Sequence, residues 1–130
     1  MSEPIKILVV EDEEMFRHIY ASHITRLGFE PILCAHGADA LRSLDEINGI
    51  RLIITDVNMP IMDGLEFLET LQNSAYAGIP IVVVSAHCAP RELDERNISV
   101  SKIIDKIAAV RDMESVLEPV QREMQEVFSY

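Results

Sequence analysis

The sequence contains no apolar run long enough to cross a membrane. Its longest purely apolar stretches, such as Ile79 to Val84, hold about six residues, whereas a membrane-spanning helix needs about 20. The first residues, Met1 to Pro4, include no basic region followed by an apolar stretch, which is the pattern of a secretory signal. We therefore predict neither a membrane span nor export.

Cysteine is also scarce. Only Cys34 and Cys88 are present, and neither has neighbours at the spacing of a zinc site. Isolated cysteines without an export signal favour reduced thiols and a cytoplasmic location. We expect both side chains to act as small buried hydrophobic groups.

Basic residues are few compared with acidic ones. Lys and Arg number 11 against 22 Asp and Glu, which gives a formal net charge of −11. Because DNA is itself a dense polyanion, we expect no direct nucleic-acid binding by this domain. An acidic surface suits solubility, cations and basic partner surfaces instead.

The rest of the composition is that of an ordinary globular protein, with 48% hydrophobic and 25% charged residues in a chain of 130. Length and composition together predict a single domain over 1–130. Short apolar runs alternate along it with amphipathic stripes. Strands are predicted at 5–10, 31–35, 52–55, 79–84 and 100–104, and helices at 16–27, 37–47, 65–71, 89–97 and from about 109 onward.

This alternation is typical of an α/β fold. Five strands and five helices predict a parallel sheet covered by helices on both faces, in a doubly wound arrangement. The most hydrophobic segment, 79–84, is predicted to lie at the sheet centre, where both faces are covered. Gly28 and Gly49 follow the first two helical stripes and are predicted to end those helices.

Polar side chains follow four of the predicted strands. Glu11 and Asp12 come after the first strand, Asp56 after the third, Ser85 after the fourth, and Lys106 just past the fifth. Ligands of such sheets bind outside the carboxyl ends of the strands. The pattern therefore gathers three carboxylates, a hydroxyl and an ammonium at one edge of the sheet.

Clustered carboxylates repel one another, so they recruit a divalent cation or hold a raised pKa. Oxygen ligands are those that Mg²⁺ prefers, and Mg²⁺ commonly shares its site with a phosphate. A carboxylate can also act as a nucleophile and form an aspartyl phosphate. Phosphoryl transfer needs mainly positioning and charge neutralisation, which a metal and a lysine can supply.

Four segments carry a resemblance to a known family. The stretch DVNMPIMDG at 56–64 resembles the acceptor loop of response-regulator receiver domains of two-component signalling, and VVEDE at 9–13 resembles the acidic pair of that family. Residues 35–41 resemble its second-helix entry, and 84–86 its switch hydroxyl. The resemblance covers nearly the whole chain and implies a flavodoxin-like, five-stranded parallel sheet of order 2-1-3-4-5 flanked by five helices.

We call the sheet edge that gathers Glu11, Asp12, Asp56, Ser85 and Lys106 the acidic edge. The resemblance implies a role for each of its residues. Asp56 matches the phosphoryl acceptor and also a metal ligand. Asp12 matches the direct Mg²⁺ ligand, and Glu11 the neighbour that acts mostly through water. Asn58 matches the position whose backbone carbonyl coordinates the metal.

Two further roles concern the phosphoryl group. Ser85 matches the hydroxyl that moves onto it, and Lys106 the lysine that pairs with it. The family takes its phosphoryl group from a histidine kinase or a histidine phosphotransfer protein. It then switches a downstream protein or a fused output domain, in some cases as a homodimer through the fourth helix, fifth strand and fifth helix. Such a domain catalyses only its own phosphotransfer and dephosphorylation, so it is not an enzyme in the usual sense.

The sequence departs from the family at two positions. Ile107 follows Lys106 where the family usually has proline, commonly after a cis bond. A cis bond before a non-proline residue costs about 3 kcal/mol, so we expect a trans bond or a strained loop. Ile103 occupies the position of the aromatic switch, so rotation of a ring cannot be the output signal.

Several alternatives stay open. A pseudo-receiver would be a phosphorylation-independent protein-binding module, although Asp12, Asp56, Ser85 and Lys106 are all retained. An aspartyl-phosphate phosphatase would want two aspartates after the first strand, and a flavodoxin would have a Thr-, Ser- and Gly-rich loop there. Ser85 could also cap a helix, and Lys106 could be an ordinary solvated lysine, with Lys102 as a rival candidate.

Overall fold

Strands and helices alternate throughout the described part of the chain. The computed structural model describes residues 4–56, 64–85, 90–115 and 117–118. The elements are β1 Lys6–Val10, α1 Glu14–Arg26, β2 Glu30–Cys34, α2 Gly37–Glu46, β3 Ile50–Thr55, α3 Gly64–Gln72, β4 Ile81–Ser85, α4 Pro90–Glu95, β5 Lys102–Asp105 and α5 Lys106–Arg111. The predicted succession of elements is confirmed.

All strand pairs in the sheet are parallel, in the order β2-β1-β3-β4-β5. The chain adds β2 on one side of β1 and β3 on the other. Strand order therefore reverses between β1 and β3, and their carboxyl ends form the crevice where such folds bind ligands. The predicted doubly wound, flavodoxin-like fold is confirmed.

The sheet is buried on both faces. In β1, Ile7 and Val9 face one hydrophobic cluster and Leu8 and Val10 face the other, as the twofold alternation of a strand requires. The first cluster includes residues of α1 and α5, and the second includes residues of α2 and α3. Burial of both faces explains why the strands are continuous apolar runs.

Three details differ from the sequence-based expectation. The strand at the sheet centre is β3, not β4. Residues 81–84 are buried all the same, because their side chains alternate between the hydrophobic clusters on the two faces of the sheet. The last helix begins at Lys106 instead of near 109, and β5 begins two residues later than predicted.

The two predicted glycine stops lie where the helices end. Gly28 has a φ of 94° and Gly49 a φ of 88°, which is the left-handed region that favours glycine. Among the described residues there is no cis peptide bond, so Lys106 and Ile107 are joined by the expected trans bond. Within the same ranges, no helix is both long and apolar enough to cross a membrane.

Candidate functional site

The acidic edge is built by backbone hydrogen bonds that continue past the strand ends. The Glu11 N–H donates to the Cys34 carbonyl at 3.0 Å, and the Asp56 N–H donates to the Val10 carbonyl at 3.0 Å. Both acidic residues are thus held in sheet register one position beyond β1 and β3. Their side chains are buried, with exposures of 1% for Glu11 and 5% for Asp56.

Lys106 crosses this edge from the start of α5. Its Nζ donates to Asp56 Oδ2 at 2.9 Å and to Glu11 Oε1 at 3.0 Å. Glu13 Oε1 lies 3.7 Å from the same nitrogen, and the Phe16 ring centroid lies 4.2 Å from it. Lys106 is buried, so it is not a solvated lysine; Lys102, the rival candidate, is exposed.

The contacts of Lys106 keep it charged. Burial by itself would lower the pKa of the Lys106 ammonium, but the hydrogen bonds to Asp56 and Glu11 outweigh burial and raise that pKa above its usual value. The residue therefore carries a fixed positive charge at neutral pH. Its cation–π contact with Phe16 adds to the stabilisation of that charge.

Three carboxylates lie close together at this edge of the sheet. Glu11, Asp12 and Asp56 each offer one oxygen, and these oxygens lie within 4.8 Å of one another. Burial raises the pKa of the Glu11 carboxyl to about 7; the Lys106 hydrogen bond opposes the shift and the charge of Asp56 adds to it. Burial therefore disfavours the charged form of Glu11 more than its contact with Lys106 favours it.

A hard divalent cation fits this arrangement. Glu11 Oε2 is buried and has no hydrogen-bond partner in the part of the chain that the structure describes, although a buried carboxylate oxygen normally has one. Carboxylate oxygens are the ligands that Mg²⁺ takes, together with retained water. Glu11, Asp12 and Asp56 are therefore able to bind a metal ion.

Two residues of α1 support the acidic pair and were not identified from the sequence. Arg17 donates from Nη1 to the carbonyl of Glu11 at 2.8 Å and to that of Asp12 at 3.0 Å. Phe16 lies beneath the Lys106 ammonium. Phe16 belongs to the apolar stripe that predicts α1. Nothing in the sequence marks Arg17 beyond its position one helical turn after Glu13.

The other predicted site residues are placed only in part. Ser85 is the last residue of β4, where its backbone pairs with Asp105 of β5. Its side chain lies outside the part of the chain that the structure describes. Asn58 lies outside the described residues. Ile103 is partly buried and packs against the hydrophobic cluster that contains Leu93 and Ile98.

Comparison with known proteins agrees with this geometry. The family model for the response regulator receiver domain matches residues 7–118. Chemotaxis protein CheY1 of Helicobacter pylori is 35% identical over 91 residues, which are 68% of this chain and 73% of that protein. The Regulator of RpoS of Escherichia coli is 39% identical over 89 residues, 66% of this chain but 26% of that protein.

Solved structures of the same type superpose closely. A response regulator receiver protein from Pseudomonas putida gives a TM-score of 0.83 at 25% identity, over 94% of this chain and 99% of that one. Chemotaxis protein CheY4 of Vibrio cholerae gives 0.79 at 27% identity, over 92% and 98%. The chain belongs to the response regulator receiver domain family of two-component signalling.

Proposed function

We propose that this chain is a phospho-accepting receiver domain, spanning 1–130, whose acceptor is Asp56. The observation that carries the proposal is the placement of the Asp56 carboxylate. It is buried at the switch point of the sheet, 2.9 Å from the Lys106 ammonium and beside Glu11 and Asp12. A nucleophilic carboxylate next to a fixed cation and a potential metal site is what formation of an aspartyl phosphate requires.

The proposed step is a single displacement at phosphorus. An Asp56 carboxylate oxygen attacks the phosphorus of a phosphohistidine or a small phosphodonor, and the bond from phosphorus to the leaving nitrogen or oxygen breaks. Lys106 neutralises charge on the incoming phosphoryl group and keeps the Asp56 carboxylate in position. Water later attacks the acyl phosphate and returns Asp56 to its free form.

Metal binding completes the proposed site. Glu11, Asp12, Asp56 and the backbone carbonyl of Asn58 would hold Mg²⁺, which would supply positive charge to the phosphoryl oxygens when bound. Glu11 and Asp12 are kept in place for this task by Arg17, which binds both of their carbonyls. The Ser85 hydroxyl is expected to contact the phosphoryl group, a role that stays a prediction.

The proposed phosphodonor is a histidine kinase or a histidine phosphotransfer protein, and the output is a downstream protein or a fused domain. The proposed location is the cytoplasm. The net charge of −11 favours basic protein surfaces over nucleic acid. A homodimer through α4, β5 and α5 is part of the same proposal.

Phosphorylation is tested by mass spectrometry of the intact protein. Acetyl phosphate or phosphoramidate with Mg²⁺ should add one phosphoryl group to the wild type and none to Asp56→Ala. Asp94→Ala, which changes an exposed aspartate of α4, is the control and should react as the wild type does. An adduct that persists in Asp56→Ala would place the acceptor elsewhere. A wild type that never reacts, and does not bind beryllofluoride, would favour the pseudo-receiver.

Signal transmission has a structural route that needs no aromatic ring. Ser85 is the last residue of β4 and α4 begins at Pro90, so closure of the Ser85 hydroxyl on the phosphoryl group would act on α4 through the chain that joins them. Ile103 contributes an aliphatic contact to the cluster that contains Leu93. Amide chemical shifts with and without beryllofluoride test the route. Ser85→Ala should reduce the changes around 87–97, of which 87–89 lie outside the described residues, while Ile103→Ala should largely preserve them. The reverse outcome would make Ile103 the switch.

A further inference from the structure

The direction of the Lys106 side chain depends on where α5 begins. Asp105 is both the last residue of β5 and the N-cap of α5. Its Oδ1 accepts hydrogen bonds from the N–H groups of Ile107 at 2.9 Å and Ala108 at 3.2 Å. The chain thus passes from strand to helix with no intervening loop, and Lys106 is the first helical residue.

This start position aims Lys106 at the acidic edge. Side chains of a helix tilt toward its N-terminus, and here that direction leads back to the ends of β1 and β3. If α5 began one residue later, Lys106 would be the N-cap and would lose its helical backbone conformation, so its side chain would leave the chain in a different direction. The two short hydrogen bonds that Lys106 donates to Glu11 and Asp56 therefore depend on a helix that starts at Lys106.

We propose that Asp105 is a positioning residue for phosphoryl transfer, which by capping α5 fixes Lys106 against Asp56 and Glu11. The inference rests on the proposed function of Asp56. Asp105 is exposed, and its hydrogen bonds go to the backbone of α5, so it acts through Lys106. The cap uses the N–H of Ile107, a donor that proline at this position would lack.

The chain offers a matched control for loss of a cap. Asp112, seven positions after Asp105, accepts hydrogen bonds from the Ser115 N–H at 3.2 Å and the Ser115 hydroxyl at 2.6 Å. Removing its side chain also deletes an exposed aspartate cap in the C-terminal region, but leaves the start of α5 unchanged. Asp105→Asn retains a capping oxygen without the charge, since Asn and Asp cap helices about equally well.

The test compares Asp105→Ala, Asp105→Asn and Asp112→Ala in two measurements. The first is the rate of phosphorylation by phosphoramidate with Mg²⁺. The second is the NMR signal of the Lys106 ammonium, whose proton exchange is slowed by its hydrogen bonds. Asp105→Ala should phosphorylate about tenfold more slowly or worse and lose the protected ammonium signal. Asp105→Asn and Asp112→Ala should stay within about twofold of the wild-type rate and keep the signal.

Two results would overturn the proposal. In one, Asp105→Ala behaves like Asp112→Ala in both measurements, so the cap is only structural. In the other, Asp105→Asn is as slow as Asp105→Ala, so the charge matters and not the cap. If Asp105→Ala does not fold, Asp105→Gly removes the same acceptor at a smaller cost to the helix and gives the same comparison. If the wild type accepts no phosphoryl group, the proposed function fails, and the ammonium signal alone then decides the role of Asp105.

Discussion

Replacing Lys106 by methionine should destabilise the domain, because it leaves two buried carboxylates without their shared cation. The ammonium contacts of 2.9 and 3.0 Å are each worth roughly 5 kcal/mol of attraction at an effective dielectric constant near 20. Carboxylate oxygens within 4.8 Å of one another repel by at least about 3.5 kcal/mol on the same scale. Removal of Lys106 also abolishes the cost of burying its charge, so the net loss is smaller, about 3 to 5 kcal/mol.

Urea unfolding measures this loss directly. In EDTA, Lys106→Met should lower the free energy of unfolding by about 3 kcal/mol or more, a large share of the roughly 5–15 kcal/mol that holds a domain together. Saturating Mg²⁺ should stabilise Lys106→Met more than the wild type. The reason is that a cation at the cluster no longer competes with the ammonium for Glu11 Oε1 and Asp56 Oδ2.

Two variants make the result interpretable. Lys102→Met removes an exposed lysine of β5 and should change the stability by less than about 0.5 kcal/mol. Adding Glu11→Gln to Lys106→Met should recover part of the loss, because one of the two stranded carboxylates becomes neutral. A Lys106→Met protein as stable in EDTA as Lys102→Met, or equally stabilised by Mg²⁺ as the wild type, would refute the view that Lys106 holds the cluster together.

Three other predictions concern the metal ligands, their support and the buried thiol. Asp12→Ala should weaken Mg²⁺ binding in calorimetric titration more than Glu13→Ala does, and equal losses would place the metal elsewhere. Arg17→Ala should weaken Mg²⁺ binding about tenfold because the carbonyls of the acidic pair lose their shared donor; unchanged affinity would contradict this role. Burial raises the pKa of the Cys34 thiol, so the folded state binds this proton more tightly than the unfolded state. Stability should therefore fall from about pH 8.5 upward, and a Cys34→Ala variant that shows the same slope would exclude Cys34 as its source.

Strand periodicity was sufficient to predict most of the fold and the gathering of the site. The continuous apolar runs of β1 and β3 each end in acid, and parallel strands bring such ends to one edge. The prediction that Glu11, Asp12, Asp56 and Lys106 share that edge is therefore confirmed as a matter of placement. Their chemical roles stay predictions.

Side-chain contacts between different helices and strands cannot be predicted from the spacing of residues in the sequence. Nothing in the spacing of Arg17 shows that its guanidinium turns back to bind the carbonyls of Glu11 and Asp12, because that contact depends on the angle at which α1 leaves β1. The sequence pattern predicts a start of α5 near 109, three residues after the start that the structure shows. The cap formed by Asp105, which starts the helix at Lys106, is a local hydrogen-bond effect that apolar periodicity does not detect.

The two departures from the family pattern lie close to Lys106, and the structure gives each a different consequence. Ile103 replaces an aromatic ring by a partly buried aliphatic side chain that packs against the cluster containing Leu93, so it has no ring whose rotation could carry the output signal. Ile107 is 63% exposed and contributes its N–H to the cap of α5, so it affects how Lys106 is held. Neither residue alters the carboxylates at the ends of β1 and β3. Acceptor chemistry and signal transmission are therefore separable in this chain. Ile103→Ala should leave the rate of phosphorylation near that of the wild type and largely preserve the response of α4, whereas Ser85→Ala should reduce that response.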